Sequence, residues 1–542
     1  MRRDFPQGQL VNASLLVAGQ MISVEAARIL GRRMDGADVS ADFRLAIVFA
    51  IAAAVFYASA HWIARRWVHL FTAEFDRRVM NRLSYAAAVM LAIGAWIAFP
   101  EAWTAVAWCV LALGLTIAGR RLSSLEFAYQ AIFLAAVATI RVLVINLGAT
   151  DKYHGATLRL ITILLVAATL YLTTRWLWGS DRTIPVGQRL FSFEQLTYAG
   201  LTWIASSLLA LLAWYELRPV SVADAWMVGG LVLFELGLAK NRPSLRLQGY
   251  MAIAASFLRI FFVNLNAAGN PGEISPRFLT VVPLALGFFY AYWRLQEAIS
   301  DLLEAECRWK LSSVSCWMGT LTFAALMRFE LEADWVAGAW AALTFALLAI
   351  AWRSERRVFL HQGLLITVAV LFRTVLHNFY QRSYFPASGW ESRWITVGTA
   401  VALLLAALPI AFQLRTKNEE SRKTGLVRLV QSMLRRPEQL IFFTAVGLLT
   451  ALLGLEMRHG MVTLSWGVEG VLVFILALQV GERSFRLTGL GLLLLCVAKI
   501  LLVDVWRLDP RDRYLTFIVL GAALLLVSFL YTRNREALRQ YL

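Results

Sequence analysis

The sequence predicts an all-α membrane protein that crosses the bilayer many times, and two observations carry that prediction. The first is compositional. A chain of 542 residues that is 59% hydrophobic and 16% charged, with a mean hydropathy of +0.63, has too little polar surface to coat a soluble globule. Apolar stretches of the ~17–25 residues that a helix needs to cross ~30 Å of hydrocarbon recur from residue 45 onward. The second is periodic. Trp108, Trp226, Trp340 and Trp466 are each followed 33 positions later by a cation inside an apolar run: Arg141, Arg259, Arg373 and Lys499. A spacing held through diverged surroundings predicts one structural unit used four times.

Taking these registers as anchors, each repeat resolves into four helices, A to D. In the first, A covers 83–99, B 103–119, C 127–147 and D 158–178, so repeat one is 83–178. The others are expected at 197–295, 315–415 and 440–533. Residues 1–82 hold a degenerate half-repeat, with helices expected over 10–30 and 44–64, and a linker. Asn12, Gln20 and Glu25 interrupt the first of these, which reads as a retained, weakly hydrophobic helix rather than a cleaved leader. The total expected is about 18 spans. An even number of spans per repeat keeps all copies in the same orientation, unlike the inverted repeats of many transporters. An elongated or curved array with nearest-neighbour contacts is the natural outcome, with Gly229, Gly230, Gly489 and Gly491 allowing close helix approach.

Basic residues predict the sidedness, because positively charged short loops stay cytoplasmic. The loops between B and C, and those after D, carry most of the chain's 52 Lys and Arg, among them Arg120, Arg121, Lys240, Arg242, Arg246, Arg353, Arg356, Arg357, Arg483 and Arg486. Both termini, including the 534–542 tail, are therefore expected in the cytoplasm. Within the 416–439 connector, Leu426, Leu429, Val430, Met433 and Leu434 recur at helical spacing among Arg428, Arg435 and Arg436, as in a basic amphipathic helix lying on anionic headgroups. The acidic stretch 297–306 reads as a second surface helix, suited to a partner protein of the cell envelope.

Several polar positions recur in the same registers. Eleven residues before the cation lie Gln130, Gln248 and Gln362, with Thr488 in the fourth copy. Five residues after it lie Asn146, Asn264, Asn378 and Asp504. Helix D opens with Arg-x-x-Thr: Arg159 and Thr162, Arg277 and Thr280, Arg393 and Thr396, Arg513 and Thr516. Helix A ends on Glu216, Glu330 and Glu456 in the last three copies. An advance of 11 residues is about three helical turns, so the Gln and the cation share one face of helix C. A lone Arg at depth costs roughly 2.5–3.5 kcal/mol at the bilayer centre and is expected to face protein, a partner or water. Two readings follow. The guanidinium groups of helices C and D form an outward-opening cationic surface for phosphate or carboxylate. Alternatively, the Glu at the end of helix A pairs with a repeat's Arg and closes the four-helix unit. The recurrent Trp is expected to anchor at the membrane interface.

The +17 formal charge is spread in small clusters between spans, which argues for membrane orientation and against nucleic acid. Cys109, Cys307, Cys316 and Cys496 have no paired CxxC spacing, and His361 and His377 stand ~24 Å apart along one helix, so no metal site is expected. No Walker A loop, GxSxG elbow, HExxH or Gly-rich dinucleotide turn occurs, and no cofactor is expected. Asp151 with His154 in an outer loop is the one pairing that hints at general-base chemistry.

The segment 484–533, SFRLTGLGLLLLCVAKILLVDVWRLDPRDRYLTFIVLGAALLLVSFLYTR, together with Trp466, Glu469 and Gly470 upstream, resembles the C-terminal repeat of a bacterial membrane family, domain of unknown function 2339. The resemblance is specific over about the last 90 residues and looser upstream; the chain looks like a short member that begins in mid-repeat. It implies a bacterial inner-membrane location and no activity. The functional expectation is a non-enzymatic envelope scaffold or accessory subunit that holds anionic membrane lipid in its outer half. A transporter or flippase for an anionic or lipid-linked substrate is the alternative, and an integral-membrane transferase comes third.

Overall fold

A computed structural model describes residues 17–25, 39–63, 66, 74–176, 183–186, 189–269, 274–302, 304–385, 391–415, 433–504, 506 and 510–533. After a helical stretch at 17–25, seventeen longer helices follow. The first is α1 (Val39–Tyr57), which widens into a π-helical turn at Ala58–Ile63. Then come α2 (Glu74–Ala98), α3 (Glu101–Leu122), α4 (Leu125–Val144), α5 (Leu158–Trp176), α6 (Phe193–Glu216), α7 (Val222–Ala239), α8 (Pro243–Phe262) and α9 (Pro276–Glu297). They are followed by α10 (Leu311–Glu330), α11 (Val336–Ser354), α12 (Arg357–Arg373), α13 (Arg393–Gln413), α14 (Pro437–Glu456), α15 (His459–Val480), α16 (Arg483–Lys499) and α17 (Pro510–Arg533). Extended structure among the described residues is limited to two small hairpins, Lys152–Tyr153 with Ala156–Thr157 and Thr183–Val186 with Arg189–Ser192.

Fourteen of these helical segments are long and apolar enough to cross a membrane, and the chain is an all-α polytopic membrane protein. The apolar parts at 82–98 and 517–529 are shorter. The expected first helix at 10–30 is described only over 17–25, and the expected amphipathic helix at 426–434 lies almost wholly outside the described residues, with 433–435 helical. The acidic stretch differs from expectation. Instead of one surface helix it breaks into a 3-10 turn, Ile299–Asp301, and a five-residue helix, Glu304–Arg308.

The chain divides into two compact units, Met1–Arg259 and Ile260–Leu542, and the division falls within α8. In the first unit α3 packs on α4 and α5, and α5 on α6. Their shared core is alanine-rich, with Ala105, Ala112, Ala131, Ala135, Ala138, Ala167 and Ala205 buried alongside Ile163, Val166 and Leu208. Small side chains let backbones approach where lipid supplies no hydrophobic drive for association. In the second unit α9 packs on α10, α11 on α12 and α13, α13 on α14, and α15 on α16 and α17.

The turn that follows each Trp-bearing helix is built on one residue in the left-handed region, always 15 positions after the Trp: Ser123 (φ 51°), Asn241 (φ 46°), Glu355 (φ 57°) and Gly481 (φ 75°). Only the last is the residue type that adopts this conformation without steric cost. Close helix crossing is also register-specific. A Cβ on Gly249 would sit 2.7 Å from the Gly230 carbonyl oxygen, and one on Gly489 would sit 3.0 Å from that of Gly470. Gly230 and Gly489 thus behave as expected, whereas Gly229 and Gly491 have no atom that an added Cβ would touch. Arg246, expected in a loop, is fully buried in the first turns of α8, where it donates to the Gly237 carbonyl and to Asn241 Oδ1.

Candidate functional site

The recurrent polar residues fall at successive levels along the helices, and each level binds a different pair of elements. At the first level a glutamine ties the cation-bearing helix to the helix two before it. Gln130 Nε2 donates to Ser84 Oγ (2.8 Å) while its Oε1 accepts from Tyr57 (2.9 Å). Gln248 Nε2 donates to Thr202 (2.9 Å) and its Oε1 accepts from Ser206 (2.5 Å). Gln362 Oε1 accepts from Thr320 (2.9 Å), and its amide nitrogen lies 3.3 Å from Cys316 Sγ. The partners at Ser84, Thr202 and Cys316 are all 46 residues earlier. The three glutamines are at most 3% exposed, so both ends of each amide must be satisfied, and they are. The fourth register replaces this tie. Thr488 bonds back to its own helix at Ser484, and Phe442, 46 residues before Thr488, stacks on Phe485 with centroids 3.5 Å apart.

At the next level the tryptophan works through its nitrogen. Trp108, Trp226, Trp340 and Trp466 Nε1 donate to the carbonyls of Ala92, Ala210, Ala324 and Thr450, at 2.8, 3.0, 2.9 and 2.9 Å and always 16 residues back. The expected interface anchor is therefore also a helix-to-helix tie. The cation sits over the indole in three registers, with Arg141, Arg259 and Lys499 at 5.6, 5.6 and 5.9 Å from the ring centroid. Arg259 also stands 4.2 Å from the Trp214 ring.

The same cations reach the turn that precedes the Trp helix. Arg141, Arg259 and Arg373 Nη2 donate to the carbonyls of Glu101, Pro219 and Ala333, each 40 residues earlier, at 3.1, 3.0 and 2.9 Å. Lys499 Nζ instead donates to Thr463 Oγ1 at 2.6 Å. Each of the three arginines keeps a buried Nε without a partner among the described residues.

One turn on, the asparagine joins the turn to the fourth helix. Asn146 Nδ2 donates to the Ala102 carbonyl (2.7 Å) and to Thr162 Oγ1 (2.9 Å). Asn378 does the same with Asp334 (3.1 Å) and Thr396 (3.4 Å), and Asn264 reaches Thr280 at 3.0 Å. Each threonine is itself held by its own helix, so the side-chain oxygen is fixed as an acceptor. The Asp504, Arg513 and Thr516 side chains lie outside the described residues.

The glutamates correct the expected pairing. They do not meet the cation of their own register but the arginine that opens the preceding fourth helix. Arg159 Nε lies 2.8 Å from Glu216 Oε1, Arg277 Nη1 3.6 Å from Glu330 Oε2, and Arg393 Nη1 2.9 Å from Glu456 Oε1. The pairs therefore join α5 to α6, α9 to α10 and α13 to α14, locking one register to the next rather than closing one. Each arginine has further acceptors at the same joint. Arg159 donates to the carbonyls of Leu147 and Tyr215 (3.1 and 3.0 Å), Arg277 to that of Phe329, and Arg393 to the Asn378 carbonyl and Ser383 Oγ (3.0 and 2.8 Å). Thr157 and Ser275, each two residues before its arginine, donate to the same carboxylates. Among the described residues, the helix C and helix D guanidinium groups accordingly make these bonds to protein.

Three features escaped the sequence reading. His377 and Asp334 are both 8% exposed and pair through Nε2 and Oδ1 at 3.2 Å, with His377 in a π-helical segment, Thr374–Gln381, that continues the third register's C helix as Ile500–Asp504 continues the fourth's. Gln381 meets the other ring nitrogen at 2.6 Å, and the Glu391 backbone N–H donates to Asp334 Oδ2 at 3.0 Å, so the pair fastens a loop. His154, the expected base, is exposed in the Lys152–Thr157 hairpin and packs edge-on against Tyr153. Glu469, in mid-helix α15, is 4% exposed; Thr450 donates to its Oε1 at 2.9 Å while Oε2 has no partner among the described residues. Arg415 bridges Glu438 (3.8 Å) and Glu482 at the opposite end of the bundle.

This is a multi-pass helical membrane protein in which most of the recurrent polar residues whose side chains are described make contacts between its own helices. Residues 424–534 match the family described as predicted membrane protein (DUF2339), in agreement with the resemblance of the C-terminal segment. No curated protein matches the chain.

Proposed function

We propose that the chain is a non-enzymatic scaffold or accessory subunit of the bacterial inner membrane, built as four tandem four-helix repeats bounded as the sequence spacing indicates. Its loops between B and C, and those after D, face the cytoplasm with both termini. The observation that carries the reading is the set of three Arg–Glu pairs linking one register's last helix to the next register's first. Recurrence suits a folding device, because a substrate site needs to exist once. The partners this implies are membrane lipid, including anionic lipid against the outer half, and other envelope proteins. The test uses proteoliposomes of the full chain with a fluorescent anionic lipid or a soluble organic anion. No protein-dependent flipping or flux is expected, and Arg259→Gln lowers thermal stability. Flux that Arg259→Gln abolishes at unchanged stability overturns the reading. Orientation is tested separately: a cysteine placed at Thr150 is expected to react from outside, and labelling only from the cytosol refutes the topology.

A second reading, transport of an anionic or lipid-linked substrate, draws on the unpartnered buried Nε atoms of Arg141, Arg259 and Arg373 and on Oε2 of Glu469. Intramembrane ionisable groups with spare hydrogen-bonding capacity are what ion pathways use. The flux assay above decides between the two.

A further inference from the structure

The end of the second unit that carries the α11–α12 turn holds a cavity of about 580 Å³. Its walls come from the last turn of α11, the first turns of α12, the end of α13 and the residues leading into α14. The charge around it is one-sided. Arg356, Arg357 and Arg435 line it against a single carboxylate, Glu355, with the imidazole of His361 beside them. Arg356 and Arg357 are solvent-exposed, and Arg356 is positioned from behind by donation to Gln296 Oε1. The remaining lining is Ala351, Leu360, Leu414 and Leu434, with Trp352 half-exposed at 51%, and the one neutral amide of Gln413. α12 begins in this space, and its capping position, Arg356, contributes no side-chain acceptor to the first-turn N–H groups. Those amides and the positive end of the helix dipole add to the attraction for an anion.

Cations beside aliphatic and indole surface, at the ends of membrane-spanning helices, match an amphiphile with a phosphate head. We propose that this cavity binds the headgroup of an anionic phospholipid, the phosphate diester held by Arg356, Arg357 and Arg435 and the first acyl segment laid against Leu414 and Leu434. A net-anionic headgroup is favoured over a zwitterionic one, because the cationic amine of the latter meets the same arginines. The site lies at the opposite helix ends from the Arg277–Glu330 and Arg393–Glu456 pairs of the same unit, and its occupancy does not depend on a scaffold or a transport role.

The experiment is native mass spectrometry of the full-length protein in detergent, with phosphatidylglycerol, phosphatidylcholine or inorganic phosphate added singly. Phosphatidylglycerol is expected to be retained at least ten times better than phosphatidylcholine. The double variant Arg356→Gln, Arg357→Gln is expected to lower that retention roughly 10- to 30-fold, the size set by losing two headgroup-facing cations, with the melting temperature unchanged. Arg357→Lys, which keeps the charge, retains most of the binding and serves if the double variant is poorly folded. Equal retention of the two lipids, or undiminished phosphatidylglycerol binding in the folded double variant, overturns the proposal. Inorganic phosphate bound as well as the lipid, and lost in the same variant, overturns the lipid assignment and leaves a soluble-phosphate site.

Discussion

The joint between α13 and α14 gives the sharpest test of how these helices are held. Arg393 makes three bonds there: to Glu456, to the Asn378 carbonyl and to Ser383. The two charged side chains are 10% and 25% exposed, so screening by water is limited. A hydrogen bond to a charged group contributes ~1.5–3 kcal/mol, and stranding one partner of a fully buried ion pair costs ~3–5 kcal/mol. For a joint that is mostly but not wholly buried, Arg393→Gln is expected to destabilise by ~3 kcal/mol. Glu456→Gln, which leaves Arg393 two of its acceptors, costs ~1–2 kcal/mol. The double variant is expected to show a coupling of ~1–2 kcal/mol. The Arg277–Glu330 pair is longer, at 3.6 Å, with Glu330 30% exposed, and its coupling is expected to be smaller, ~0.5–1 kcal/mol. Reversible unfolding in mixed micelles against SDS mole fraction measures all of these. Coupling below ~0.3 kcal/mol at Arg393–Glu456, or a larger value at Arg277–Glu330, refutes the argument. Arg373, bonded to the Ala333 carbonyl, provides the contrast: Arg373→Gln and Glu456→Gln are expected to be additive.

Three further outcomes follow from the turns and ties. Trp340→Phe keeps the ring but removes the donor to Ala324, and the same unfolding assay is expected to show a loss of ~1 kcal/mol. Ser123→Gly relieves a left-handed backbone at φ 51° and is expected to stabilise by ~1 kcal/mol, read as a higher melting temperature; a fall would show that the serine side chain matters more than its backbone. Gly489→Ala places a methyl 2.9 Å from the Phe474 amide nitrogen and 3.0 Å from the Gly470 carbonyl, and is expected to cost ~1–3 kcal/mol. Gly491→Ala, with nothing nearby, serves as its neutral control.

The helical, many-span character was legible because hydrocarbon imposes apolar runs that no other architecture requires at this length. The positions of the polar network were legible too: Gln248, Trp226, Arg259 and Asn264 are marked by recurrence alone. Their partners were not. Those of Trp226 and Arg259 are backbone carbonyls, of Ala210 and Pro219, and a carbonyl leaves no mark in sequence. Spacing also could not say whether Glu216 pairs forward or backward along the chain, since both Arg159 and Arg259 belong to recurrent motifs. His377 and Asp334 were missed for the opposite reason: their pairing occurs in one register, on a π-helical insertion, and nothing repeats to draw attention to it. Gly229 and Gly491 show that a small residue marks an opportunity for close packing, not the packing itself.

Because each carboxylate lies downstream of its guanidinium, order of synthesis matters. Glu216 follows Arg159 by 57 residues, which a ribosome adding ~5–20 residues per second takes roughly 3–11 s to make. During that interval the arginine has entered the translocation site and its mate has not. Until then the Leu147 carbonyl, already made, is its one protein acceptor among those named at the joint, and water, lipid phosphate or the insertion machinery has to meet the rest of its charge. Hence the joint between α5 and α6 closes only when α6 arrives, and each Arg–Glu pair is completed one helix after its arginine is made.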